Sequence, residues 1–344
     1  MLYKKEVIGR NAMKLNEKLG ERKMIEIIQS RLDVMPKMPI SFGDDVSAHD
    51  IGNGNLAVLK TDMLVDKTDV PPGMSLWQAA RKAVVMNVSD FAAKGVKPLA
   101  ILVSLGLPGN LTGKDIEEIG EGLNAGAREY NAYIIGGDTN EASDLVISLS
   151  VFGIAKKNML MLRSGTKPGD LVAVTGFFGT TSAGLKILLD NLEAPQKIRG
   201  TLIDSVLMPY ARLKEGLALS QAKAVTASID SSDGLAWSVH EIAKASNVGF
   251  LINTLPTAKE VKTFARINKL DQLELTLYGG EEYELVLTIK PKLWKKAEKA
   301  VKEVGGKLFP IGKATAKKQV FLEIDGKRSI IEPRGWEHFK KVKV

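Results

Sequence analysis

The chain has 344 residues, of which 44% are hydrophobic, 26% charged and 6% aromatic, and it has no cysteine. That composition belongs to a globular protein and excludes disordered, collagen-like and coiled-coil chains; the length points to two domains. The missing cysteines exclude a disulfide framework, a thiolate metal site, a cysteine nucleophile and an iron–sulfur cluster, and fit a reducing, cytoplasmic setting. The net charge of +8 is uneven, with 16 Lys+Arg against 6 Asp+Glu in residues 285–344. It reads as a solvated Lys-rich helix face, as in KLWKKAEKAVKEVGGK (292–307), and no aromatic residues interleave with the basic ones in a stacking pattern. High Lys and Glu content without cysteine also hints at a thermophilic source.

Residues 11–32 carry helical periodicity through Leu15, Leu19, Ile25, Ile28 and Leu32. Short runs rich in Val, Ile and Leu follow. LAVL (56–59), LAILVSL (99–105), YII (133–135), LVISLSVFGIA (145–155), LVAVT (171–175) and ELVLTI (284–289) are expected to be strands. Helical patterns lie between them at 75–95 and 113–130, the first with Ser75 as N-cap and Gly95 just past its end. The alternation predicts an α/β or α+β fold. The basic, turn-rich stretch 156–170 marks the expected boundary, giving domains 1–156 and 157–344. The longest near-apolar stretch, Leu99–Leu107, is too short to span a bilayer, and the first residues, MLYKKEVIGRNAMK, have no apolar core of a secretory signal.

Several apolar runs end in aspartate: LAVLKTD at Asp62, AYIIGGD at Asp138 and AVTASID at Asp230. Asp44, Asp45, Asp90 and Asp233 add to the set. The ends of strands in open α/β sheets collect functional groups. Brought together, these carboxylates repel unless cations neutralise them, and all-oxygen ligands favour Mg²⁺ over zinc or copper. Taken singly, each aspartate reads equally well as a helix cap or turn residue. Gly136-Gly137 and Gly279-Gly280 permit close backbone approach to a phosphate, or simply turns. GxxxxGK[ST] and GxGxxG are absent, as are HRD, DFG and GxSxG. His49, His240 and His338 suggest no triad.

FGDD (42–45), KTDMLV (60–65), NVSDFAAKGVKP (87–98), IIGGDT (134–139), RSGTKPGD (163–170), SIDSSDGL (228–235), GGEEYELV (279–286) and GWEHF (335–339) together resemble thiamine-monophosphate kinases, in the superfamily of aminoimidazole ribonucleotide synthetase. The resemblance runs from about residue 40 to 339. It implies a two-domain aminoimidazole ribonucleotide synthetase-like fold whose N-terminal sheets pair in a homodimer. It implies transfer of the γ-phosphoryl of ATP to thiamine monophosphate, giving thiamine diphosphate, with several Mg²⁺ ions. Carried over by motif, Asp45, Thr61, Asp62, Asp90, Asp138, Asp230 and Asp233 match metal-binding positions. Tyr130, Gly137 with Asp138, Arg163 and Ser232 match nucleotide contacts, and Glu281 and Trp336 match positions near the substrate. Trp336 offers a cation–π face to a thiazolium. A phosphate nucleophile, with its second pKa near 6, needs no general base, which suits a chain without a catalytic histidine.

Two departures touch the substrate pocket. VDKTDV (65–70) places Asp69 where bacterial members carry a histidine in a VEGTHF-like segment, and GGEEYEL has Glu282 where GGEDYEL is usual. Both variants resemble archaeal members. The alternatives are a related ATP-dependent enzyme, such as the purine-pathway synthetase, or a polyanion-binding module built on the basic C-terminal sixth. Selenophosphate synthetase and the hydrogenase-maturation dehydratase are disfavoured because they use a cysteine. No nucleic-acid or membrane partner is expected.

Overall fold

The computed structural model describes residues Gly20–Phe339. The periodic stretch read at 11–32 therefore lies partly outside the described residues; within them a helix covers Glu21–Gln29 (α1). Residues 38–335 form one compact unit, and residues 20–37 with 336–339 belong to another. The second holds α1 and Trp336, whose indole meets His338 edge-on at 5.9 Å.

The main unit carries two sheets. The first contains Ser47–Asp50 (β1), Asn55–Val65 (β2), Pro98–Leu107 (β3), Tyr133–Glu141 (β4) and Val146–Lys156 (β5), in the order β1-β2-β5-β3-β4. β3 and β4 run parallel; the other neighbours are antiparallel. The short helix Asp66–Asp69 (α2) follows β2, and Leu76–Lys94 (α3) and Gly113–Glu129 (α4) cover one face. The other face shows Leu59, Met63, Leu102, Tyr133 and Ile154 to solvent. The second sheet has the order β12-β11-β8-β10-β6-β9-β7. Its strands are Leu171–Val174 (β6), Val225–Asp230 (β7), Gly249–Ile252 (β8), Leu285–Ile289 (β9), Phe309–Thr315 (β10), Val320–Ile324 (β11) and Lys327–Ile330 (β12). Helices Thr180–Asp190 (α5), Gln196–Leu207 (α6), Leu213–Ala222 (α7), Leu235–Ser246 (α8), Lys259–Asn268 (α9), Gln272–Tyr278 (α10) and Trp294–Glu303 (α11) complete it. This is the expected mixed α/β class. Along α11, Lys295 and Lys299 pair with Glu298 and Glu303 on an exposed face.

Two strands run further than the apolar runs suggested. β2 pairs with β5 through eleven successive residues, Asn55 to Val65, so Asp62 sits inside the strand rather than at its end. β4 continues to Glu141 alongside β3, so Asp138 is likewise internal. Ladder hydrogen bonds extend a strand through polar residues wherever a neighbour supplies partners. Asp230 does end β7.

α3 is the element that positions the site. It opens on a capping box between Ser75 and Gln78 and closes on Gly95 in the left-handed conformation, as expected from its ends. It packs against β2, β5, α4, α7 and β7, so its whole circumference is covered. Arg81, Lys82, Asn87, Ser89, Asp90 and Lys94 are therefore buried with its alanines and valines. A charge in such a place is retained only with partners, and those partners define the site.

Candidate active site

Asp45 from the loop before β1, Asp90 from α3 and Asp230 from the end of β7 converge. All three are buried, and each offers one carboxylate oxygen within 4.8 Å of the others. Three cations surround them. Lys94 Nζ lies 2.6 Å from Asp44 Oδ1 and 2.7 Å from Asp45 Oδ2, and donates to the Ser228 carbonyl at 2.8 Å. Arg163 grips Asp45 Oδ1 through Nε (2.7 Å) and Nη2, and donates to the Gly43 carbonyl through Nη1. Lys60 Nζ lies 2.9 Å from Asp90 Oδ2 and 3.8 Å from Asp62 Oδ2. Ser89 Oγ donates to Asp230 Oδ2 at 2.7 Å.

The three carboxyls differ electrostatically. Burial works to raise Asp45, but Lys94 and Arg163 outweigh it and hold that carboxyl below its ordinary value. Burial drives Asp90 well above its ordinary value, and Asp230, Asp45 and Asp62 add to the rise despite Lys60. Asp230 is pushed up to about 6 by burial and by Asp45, against the Ser89 hydrogen bond and Lys60. The centre is short of positive charge. Buried hard oxygens whose pKa values are raised by burial and by one another fit a divalent ion such as Mg²⁺.

The other sequence candidates are placed as follows. Asp62 projects from the same face of β2 as Lys60, two residues away. Thr61 projects from the opposite face, its hydroxyl donating to the Leu149 carbonyl. Asp138 is exposed on β4, aligned with Ser104. Gly137 opposes Val103, where a Cβ would lie 1.9 Å from the Val103 carbonyl oxygen, so only glycine permits this strand spacing. Tyr130 is buried, and its hydroxyl accepts from the Ala211 N–H. Ser232 and Asp233 follow Asp230 in the loop before α8. Asp69 Oδ2 accepts from the Val65 N–H at 2.7 Å. Trp336 lies in the other unit.

Sequence reading missed the cations. Lys82 and Lys94 look like surface charges until α3 is seen to be covered all round, and Lys60 until β2 is seen to pack against it. Lys82 joins two substrate-pocket candidates: its Nζ donates to the Asp69 carbonyl at 2.8 Å and pairs with Glu281 Oε1 at 2.5 Å. Glu281 is held in a left-handed conformation (φ 64°), and its N–H bonds the Ser232 carbonyl. The two following glutamates have structural partners. Glu282 caps α5, accepting from the N–H groups of Gly179 (2.5 Å) and Thr181 (3.2 Å) and from the Thr180 hydroxyl. Glu284 bonds Arg212 and the Thr175 hydroxyl. The Glu282 departure thus falls on a helix cap.

Residues 43–155 match the AIR synthase related protein, N-terminal domain, and residues 167–325 match the AIR synthase related protein, C-terminal domain. The thiamine-monophosphate kinase of Nitrosopumilus maritimus is 38% identical over 323 residues, covering 94% of this chain and 99% of the relative. The chain belongs to the thiamine-monophosphate kinase family. The Pyrococcus horikoshii kinase is also 38% identical, covering 84% of this chain and 88% of its own. Among solved structures, AaThiL complexed with AMPPCP and TMP superposes with a TM-score of 0.81 at 29% identity, covering 93% of this chain and 97% of that one. Escherichia coli HypE shares the fold alone, with a TM-score of 0.68 at 20% identity.

Proposed function

We propose that the protein transfers the γ-phosphoryl of ATP to the phosphate of thiamine monophosphate, giving thiamine diphosphate and ADP. The observation that carries this reading is the buried convergence of Asp45, Asp90 and Asp230, undercompensated by its own cations, in a chain of this kinase family. Mg²⁺ is the ion that suits it. Asp45, Asp62, Asp90 and Asp230 would hold it at this centre, while Thr61 and Asp138, on the opposite face of the first sheet, and Asp233 would be ligands of further ions. When bound, Mg²⁺ screens the repulsion between two polyanions and the charge of the transition state.

The chain's own residues bind and orient. Asp138 with Gly137, Tyr130, Arg163 and Ser232 serve the nucleotide, while Asp69, Glu281 and Trp336 serve the thiamine. Asp69 and Glu281 suit a cationic thiazolium by charge. No side chain is required as a general base, because the attacking phosphate is already largely ionised at neutral pH. We assign residues 1–156 to a nucleotide-, metal- and dimer-forming domain and 157–344 to a domain completing the site, in a cytoplasmic enzyme. The exposed apolar face of the first sheet supports a homodimer; sedimentation at the mass of a single chain would overturn that part.

An endpoint assay with ATP, MgCl₂ and thiamine monophosphate, reading thiamine diphosphate as thiochrome, tests the activity. Product should require both the monophosphate and Mg²⁺, and vanish with EDTA or with thiamine alone. Nucleotide binding without any diphosphate formed would refute the substrate.

A further inference from the structure

The two lysines of the acidic centre are not equivalent. Lys94 has no exposed side-chain surface and meets three acceptors, on Asp44, Asp45 and Ser228. Lys94 is a fixed counter-ion of the Asp44–Asp45 pair. Among the described residues Lys60 pairs with Asp90 and Asp62, and a fifth of its side-chain surface remains open to solvent. Its origin in β2 explains the reach: Lys60 and Asp62 project from one face of the strand, and Asp90 faces them from α3.

We propose that the Lys60 ammonium is a tethered cation that takes the place of one divalent ion between Asp62 and Asp90. This rests on the reading of those aspartates as metal ligands. A lysine head is a compact point charge of the kind that satisfies two carboxylates without a fixed fork. Being covalently attached, it compensates Asp62 and Asp90 at any Mg²⁺ concentration, so this centre needs one ion fewer than its carboxylates alone would take up. Removing the charge while keeping the volume leaves two carboxylates facing each other with a gap that a hard cation fills.

The test counts bound Mn²⁺ by electron paramagnetic resonance on the full chain with AMPPCP, and reads the thermal midpoint in EDTA. Lys60→Met should bind one more Mn²⁺ per chain than the parent, have a lower midpoint in EDTA, and gain more from added Mn²⁺. Lys60→Gln provides a second neutral variant should methionine impair folding. Lys60→Arg should keep the parent count, and the exposed Lys295→Met should change neither reading. An unchanged count in both neutral variants overturns the inference if Asp90→Asn meanwhile loses Mn²⁺. If Asp90→Asn also leaves the count unchanged, the metal reading of the cluster falls and the inference falls with it.

Discussion

Lys82 is the residue whose removal separates a positioning role from a purely structural one. Its ammonium is buried and ties the Asp69 carbonyl to the Glu281 carboxylate. Lys82→Met keeps the stem volume and deletes the charge. Breaking a buried ion pair by removing one partner costs about 3–5 kcal/mol. Glu281 retains a quarter of its side-chain surface in solvent, so its stranded charge can hydrate, and the expected loss is near the low end, about 3 kcal/mol. The kinetic consequence is selective. Asp69 and Glu281 lose their common anchor, and the KM for thiamine monophosphate should rise roughly 10- to 100-fold, equivalent to about 1.4–2.8 kcal/mol. The KM for ATP should stay within about two-fold. Steady-state kinetics with each substrate varied in turn gives both numbers, and urea unfolding gives the stability. A double cycle with Glu281→Gln should be non-additive, since the two residues touch. A stability loss with both KM values unchanged would refute the reasoning and reduce Lys82 to a structural tie.

Asp138 is exposed, so Asp138→Asn should leave stability within about 0.5 kcal/mol yet lower turnover by at least ~100-fold, a scale on which even outer partners of a metal act; near-parental turnover would remove it from the mechanism. Asp90 and Asp230 are held above their ordinary values, Asp230 at about 6. A cation must therefore displace protons, and Mn²⁺ affinity should fall as pH drops from 7.5 to 5.5, with proton release in calorimetry run in two buffers; pH-independent binding would contradict this. Burial chiefly raises Glu282 from 4.5 to about 7. A folded pKa above the unfolded one stabilises fully below 4.5, and that contribution is lost as pH rises through about 7. Glu282→Ala should cost about 1–2 kcal/mol of helix capping and flatten the stability slope across that window; a slope as steep as the parent's would assign it to another group. Replacing Mn²⁺ by EDTA should weaken AMPPCP binding by at least about ten-fold, the scale of an ordinary coupling free energy, and equal affinities would argue that the carboxylates do not serve the nucleotide through cations.

What could be read from residues alone follows a physical divide. α3 and α4 were legible because caps and apolar spacing are local, and Ser75, Gly95 and the 113–130 pattern carry them. The reach of β2 and β4 was not, because a neighbouring strand, rather than the residues themselves, extends them past Leu59 and Ile135. The hairpin β11–β12 carries a local signal of its own: Asp325-Gly326 both adopt positive φ in the turn between the two strands. The aspartates were legible as chemistry, since a carboxylate after an apolar run is conspicuous. Their counter-ions were not. Lys60 sits one residue before Thr61 in an alternating strand, and Lys94 ends a helix in the position of an ordinary dipole-matching cation. Only tertiary packing, with β7 and the Asp44–Asp45 loop closing over α3, turns these surface-like lysines into partners of the centre.

The charge balance of that centre explains why substrate and ion should arrive together. Lys60, Lys94 and Arg163 face Asp44, Asp45, Asp62, Asp90, Asp230 and Glu241. The negative groups outnumber the positive ones, and two like charges 4 Å apart repel by about 4 kcal/mol at an effective dielectric constant near 20. That repulsion shows in the raised pKa values of Asp90 and Asp230, the latter at about 6. A nucleotide entering alone would add phosphate charge to a site already in deficit. A cation entering alone would relieve the deficit. Cation binding therefore lowers the electrostatic cost of nucleotide binding, and by linkage the nucleotide strengthens the hold on the cation to the same degree. Lys60 and Lys94 cap the size of this effect: each carboxylate they satisfy is one that no longer depends on the ion supply.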